Sequence, residues 1–219
     1  MQGIELAPFI DQSVLRPETR SHEIDLVCDA ALAYRFRGVV VPSGSVHHAK
    51  RRLMNTGIKV VSTVAFPHGN QAPDVKAHEA MRAAALGADE IDYVICIGAV
   101  LDDDLKYIRE EALAILRQTR GKIVKAILET GYLDDRQKFG AARAVSEAGV
   151  PYVKTCTGFG PGMATPHDVA LICQAVGTKS LVKASGGIKS REQAVELLAA
   201  GAAVLGTSQG PVICSDAGI

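Results

Sequence analysis

A chain of 219 residues, 47% of them apolar, is long enough to close one domain around a sizeable core. Its 24 lysines and arginines balance 24 aspartates and glutamates, so the net charge is zero. Nucleic acid or an anionic membrane surface demands a basic excess that is missing here, and neither is expected as a partner.

The first residues carry no basic segment followed by a long apolar stretch, and Glu5 falls early, which argues against a signal peptide. A weak apolar run at residues 8–11 is the first strand expected. Stronger runs rich in Val and Ile follow at 38–41, 58–65, 90–97, 122–128, 152–157, 180–185 and 203–207. Continuous apolar runs of this kind suit parallel strands buried on both faces. Amphipathic stretches lie between them. Thr165-Pro166 reads as an N-cap with proline at the first helical position, and Ser190-x-x-Gln193 reads as a capping box. Gly87, Gly149 and Gly201 each stand between a helical stretch and the next run, so one β/α unit is repeated.

The longest uncharged stretch, 197–215, is broken by Gly206-Thr207-Ser208-Gln209-Gly210-Pro211 and cannot span a bilayer as a helix. No linker, charge block or low-complexity segment divides the chain, so residues 1–219 are expected to form one domain. Counting the weak first run gives about eight strands, the number that closes a single (β/α)8 TIM barrel. A doubly wound open sheet is the alternative, against which no G-x-G-x-x-G follows an early strand. Five cysteines without a C-x-x-C pair fit a reducing, cytoplasmic setting better than a disulfide framework.

Three runs carry a charge where an apolar residue is expected: Asp92, Lys154 and Lys183. Each lysine taken alone reads equally well as snorkelling into water or pairing with a carboxylate, and Asp92 as a strand-end partner. Together, on separate strands of a barrel, they favour a site at its C-terminal mouth. A lysine in an apolar strand loses hydration, so its pKa falls, and a second ammonium lowers it further. The neutral amine that results is what a Schiff-base nucleophile requires. Glycine turns follow the Lys154 strand at Gly158, the Lys183 strand at Gly186-Gly187 and the last strand at Gly206, where backbone amides with nearby hydroxyls can cradle a phosphate.

Tyr152-Val153-Lys154-Thr155-Cys156-Thr157-Gly158-Phe159-Gly160, Val182-Lys183-Ala184-Ser185-Gly186-Gly187-Ile188 and Gly87-Ala88-Asp89-Glu90-Ile91-Asp92 resemble the signatures of the deoxyribose-phosphate aldolases. Phe66-Pro67-His68-Gly69 with Lys76, Ile127-Leu128-Glu129-Thr130-Gly131 and Gly206-Thr207-Ser208 are similar too, and the likeness runs from about Leu6 to Ser208. The resemblance implies a class I aldolase that reversibly cleaves 2-deoxy-D-ribose 5-phosphate to D-glyceraldehyde 3-phosphate and acetaldehyde, without a metal or other cofactor. It implies Lys154 as the Schiff-base lysine, Lys183 as the neighbour that lowers its pKa, and Asp92 as the general acid/base. Gly158, Gly186, Gly187 and Ser208 would receive the phosphate, with Lys125 and Asp11 in the surrounding polar network. A homodimer or homotetramer is implied as well.

The chain departs from the family pattern at Gln12-Ser13, Val41, Cys96, Cys156, Lys189 and Gln209, and keeps Lys154, Lys183 and Asp92. Two other readings stand beside the aldolase. One is a different class I sugar-phosphate aldolase or transaldolase; the other is a catalytically silent, sugar-phosphate-binding paralogue. The six histidines form no H-E-x-x-H or H-x-H pattern and read as surface or loop residues.

Overall fold

The computed structural model describes residues 5–215. The first four residues of the stretch read for a signal peptide, and both ends of the expected 1–219 domain, lie outside the described residues. Eight parallel strands close into a barrel: β1 (Ile10–Ser13), β2 (Gly38–Val41), β3 (Lys59–Val64), β4 (Glu90–Val94), β5 (Ile123–Ile127), β6 (Tyr152–Lys154), β7 (Leu181–Ser185) and β8 (Val204–Thr207). Each strand pairs with the next in chain order, and β8 returns to β1 with Leu205 opposite Ile10. This is the expected (β/α)8 TIM barrel, and the open sheet is excluded by that last pairing.

Helices cover the outside: α1 (Ser21–Tyr34), α2 (Val46–Arg52), α3 (Pro73–Ala85), α4 (Ile97–Leu101) and α5 (Leu105–Gln118) in the first half. The second half adds α6 (Asp135–Glu147), α7 (Pro166–Val176), α8 (Arg191–Ala199) and α9 (Gly210–Cys214). The two caps read from sequence are present. Thr165 accepts from the Asp168 amide at the start of α7, and Ser190 and Gln193 form a reciprocal capping box on α8. None of the described helices is long and apolar enough to cross a membrane.

Side-chain alternation along each strand divides the barrel into two environments. Ile91 and Tyr93 on β4, Val124 and Ala126 on β5, and Val182 and Ala184 on β7 join the apolar layer beneath the helices. The residues between them, Asp92, Lys125 and Lys183, point to the axis and are fully buried. The helix-facing layer supplies the hydrophobic stabilisation, roughly 1.5–3 kcal/mol for each large side chain withdrawn from water. The axis carries the charge.

Boundary shifts have local causes. β1 starts later than residues 8–11, because Ala7–Phe9 coils into a 3-10 turn containing Pro8, which lacks a ladder donor. Its polar residues, Asp11-Gln12-Ser13, are nonetheless strand, and Gln12 bonds the Ser208 carbonyl and the Gly210 amide at 3.0 and 2.8 Å. The run 90–97 stops at Val94, and Ile97 opens α4 instead. The run 152–157 is strand only to Lys154, after which the chain bends toward Glu129. All five cysteines are free thiols, and burial pushes the Cys28 thiol up to about 11.

Candidate active site

Lys154 ends β6, and the register places it directly beside Lys183 on β7, with both side chains on the axial side. Each amine donates to the same oxygen of Asp92: Lys154 Nζ lies 3.1 Å from Oδ2 and Lys183 Nζ 2.9 Å from it. Lys125, paired with Asp92 across β4 and β5, donates to the other oxygen at 2.8 Å. Lys183 also donates to Asp11 Oδ2 at 2.6 Å. All five sequence-derived polar residues are therefore brought into one network, and none snorkels to bulk water.

Four of these groups shift: Lys154, Asp92 and Asp11 downward, Lys183 upward. Burial penalises the Lys154 ammonium most, Asp92 works against that, and the charge of Lys183 adds to the lowering; its pKa falls to about 8. Burial also opposes the charge on Lys183, but Asp11 and Asp92 outweigh it and raise its pKa. The expectation that a strand lysine loses its proton more easily thus holds for Lys154 and fails for Lys183, which has two carboxylate partners where Lys154 has one. Burial pushes the Asp92 carboxyl up, yet Lys125, Lys183 and Lys154 hold it well below the usual carboxylate range. Asp11 is lowered in the same way by Lys183, Lys125 and Arg37 against its burial. Taking such ions from water costs several kcal/mol each, offset only because every one is paired.

Above this network a cavity of about 900 Å³ opens at the C-terminal ends of the strands. Lys154 and Lys183 line it together with Gly158, Gly186, Gly187 and Ser208, the four positions expected to meet a phosphate. The three glycines have φ of +86°, +98° and +73°, a region favoured only without a Cβ; a Cβ on Gly186 would stand 2.8 Å from that of Cys156. Lys189 and Arg16 add positive charge to the wall, and Arg16 is paired with Glu23 at 2.7 Å. Asp92 and Lys125 lie below the wall rather than in it.

The loop after β6 is held by Glu129. Its carboxylate accepts from the Thr157 amide at 3.3 and 3.2 Å and from the Thr157 hydroxyl, and Glu129 itself adopts a left-handed φ of +55°. Glu129, Glu90 and Arg37 are the residues that the sequence reading missed. Glu90 lies two residues before Asp92 on the same strand, so a period of two would have placed it on the axial face. Arg37, two residues after Arg35 and just before a strand, carries no such signal. Lys76, quoted with the Phe66-Pro67-His68-Gly69 turn, is not in the site. Its buried amine on α3 bonds Glu111 Oε1 on α5 at 2.6 Å and the Val94 carbonyl at 2.9 Å.

A low-pKa amine, a paired cation, an ionised carboxylate and a cationic cavity wall make an arrangement that can capture a carbonyl and move protons beside it. Known proteins agree with that chemistry. The family model described as DeoC/LacD family aldolase matches residues 6–215. The deoxyribose-phosphate aldolase of Thermococcus kodakarensis is 43% identical, covering 99% of each chain. That of Caldicellulosiruptor saccharolyticus is 42% identical, over 97% of this chain and 98% of its own. Among solved structures, the tetrameric deoxyribose phosphate aldolase of Aeropyrum pernix superposes with a TM-score of 0.88 at 29% identity, over 95% of this chain and 89% of that one. By family model, sequence relatives and backbone alike, the chain belongs to the DeoC/LacD family of aldolases.

Proposed function

We propose that this site cleaves 2-deoxy-D-ribose 5-phosphate reversibly to D-glyceraldehyde 3-phosphate and acetaldehyde through a Schiff base on Lys154. The observation that carries the reading is the position of Lys154. It lines the cavity with a single carboxylate contact, and its pKa near 8 leaves an appreciable neutral fraction at neutral pH.

The neutral amine adds to the aldehyde carbon of the open-chain sugar and, with loss of water, becomes an iminium. The C3 hydroxyl then gives up its proton, the C2–C3 bond breaks, and the bonding pair moves toward nitrogen to leave an enamine. Glyceraldehyde 3-phosphate departs. Protonation of the enamine carbon and addition of water release acetaldehyde and restore the amine. Asp92, held ionised, is the group assigned to accept and return these protons, with Lys183 keeping the nearby field positive. Positioned proton transfer of this kind contributes roughly 10²–10⁴-fold. Gly158, Gly186, Gly187 and Ser208 are assigned to the phosphate, with Lys189 supplying charge from the edge. The iminium is the electron sink, so turnover is expected to persist in EDTA; loss restored by added metal would contradict the reading.

A homodimer or homotetramer in the cytoplasm completes the proposal. It is supported by the tetrameric relative from Aeropyrum pernix, by apolar side chains exposed on the helices (Leu26, Val75 and Val212), and by the unpaired cysteines. The deciding experiment couples glyceraldehyde 3-phosphate release to a reporter reaction with deoxyribose 5-phosphate as substrate. Release that depends on Lys154 is expected. No release from this sugar, with turnover of another sugar phosphate, would favour a different class I aldolase.

A further inference from the structure

The charges on the axis form a closed ring. Asp92 bonds Lys125 at 2.8 Å, and Lys125 bonds Glu90 at 2.5 Å. Glu90 bonds Arg37 at 2.5 Å, and Arg37 bonds Asp11 at 2.8 Å. Asp11 bonds Lys183 at 2.6 Å, and Lys183 returns to Asp92 at 2.9 Å. Lys154 hangs from the ring by its single bond to Asp92. Arg37 and Glu90 stand at the start of β2 and β4, the end of the barrel away from the mouth, while Lys154 is the last residue of β6. At Gly38, next to Arg37, a Cβ would come within 2.9 Å of Asp11 Oδ1, so the missing side chain leaves the carboxylate its place.

We propose that Arg37 is a positioning residue that disfavours a proton on Lys154 from the opposite end of the barrel, by completing the charge balance of this ring. The ring contains the carboxylates of Asp11, Glu90 and Asp92, matched by Arg37, Lys125 and Lys183. With those six ionised the ring is neutral, and a proton on Lys154 would make a buried surplus charge, which is costly. Remove Arg37, and protonated Lys154 becomes the balancing cation. The charged groups facing the ring come from β1 (Asp11), β4 (Glu90, Asp92), β5 (Lys125), β6 (Lys154) and β7 (Lys183). Lys59 at the start of β3 is exposed and acts on Asp89 instead. The Arg37 side chain, 19% exposed, is the ring member nearest to solvent at that end. Arg37 touches no substrate-binding residue and acts only through its partners.

The proposal rests on Lys154 being the reactive amine, and its test is independent of carbonyl capture. Competitive labelling with acetic anhydride across a pH series reads the titration of Lys154 directly in the full chain. At an effective dielectric of about 20, a unit charge roughly 10 Å away moves a pKa by about one unit. Arg37→Gln is expected to raise the Lys154 midpoint by about that much, with the pH dependence of kcat moving alongside, and Arg37→Lys to restore it. Glu90→Gln removes a negative charge and is expected to lower the midpoint. Opposite shifts in the two variants support the proposal. Unchanged midpoints, or shifts of one sign in both, overturn it. Should Arg37→Gln fail to fold, the Glu90→Gln shift decides alone: downward supports, unchanged or upward overturns. Failure of wild-type protein to form an acetaldehyde adduct would instead sink the Schiff-base reading and leave the labelling result standing.

Discussion

Lys154 and Lys183 are the same residue type, on adjacent strands, at the same register position, yet one is driven toward the free amine and the other toward the ammonium. The difference is the number of carboxylates each one touches. Lys183→Leu removes a cation beside Lys154, so the pKa of Lys154 is expected to rise from about 8 toward the ordinary lysine value. The neutral fraction at neutral pH then falls, and the rising limb of the pH–rate profile moves to higher pH. An unchanged profile in a folded variant, judged by circular dichroism, would remove the electrostatic role assigned to Lys183. Asp92, Lys154 and Lys183 were legible in the sequence because a charge inside a Val/Ile run is conspicuous. Their division of labour was not, since it depends on Asp11, which is distant in sequence and meets Lys183 only when β1 and β8 close the barrel, and on Arg37, which bonds Asp11 in turn.

At the scale of elements, strand positions followed from apolar runs, and the starts of α7 and α8 from the hydroxyl caps Thr165 and Ser190. Loop geometry did not follow from either. The bend after β6 is held in part by Glu129, whose left-handed backbone directs its carboxylate onto Thr157, while Ser185 bonds the Cys156 carbonyl. Nothing in the run Ile127-Leu128-Glu129 marks that contact. Glu129→Gln keeps the shape but weakens both bonds, so the Gly158 turn is expected to loosen. KM for a phosphorylated substrate should rise several-fold, with a smaller change for unphosphorylated deoxyribose; equal losses on both would place the effect at Lys154 rather than at the loop. The caps are a separate matter, one of stability alone. Ser190→Ala is expected to cost about 1 kcal/mol, read as a drop in Tm of roughly 2–4 °C with kcat unaffected.

The whole molecule concentrates apolar packing in the layer between strands and helices and ionic pairing along the axis, so acid should attack the axis first. Asp11 and Asp92 both ionise more readily folded than at their ordinary value of 3.8. Each therefore binds its proton more tightly in the unfolded chain. Its stabilising contribution is complete above that value and is lost as pH falls toward the folded pKa. Urea midpoints are expected to decline as pH drops below about 4, and to decline less steeply in Asp92→Asn. The closed barrel also explains why the site exists only in the complete fold: its charged residues come from β1, β4, β5, β6 and β7, with Arg37 at the start of β2. The most direct measurement is peptide mapping after treatment with acetaldehyde and borohydride at a series of pH values. A reduced two-carbon adduct on Lys154, forming with a midpoint near 8, is the expected result. An adduct on Lys183 or Lys125, or none on any axial lysine while the protein remains folded, would contradict the assignment of the reactive amine.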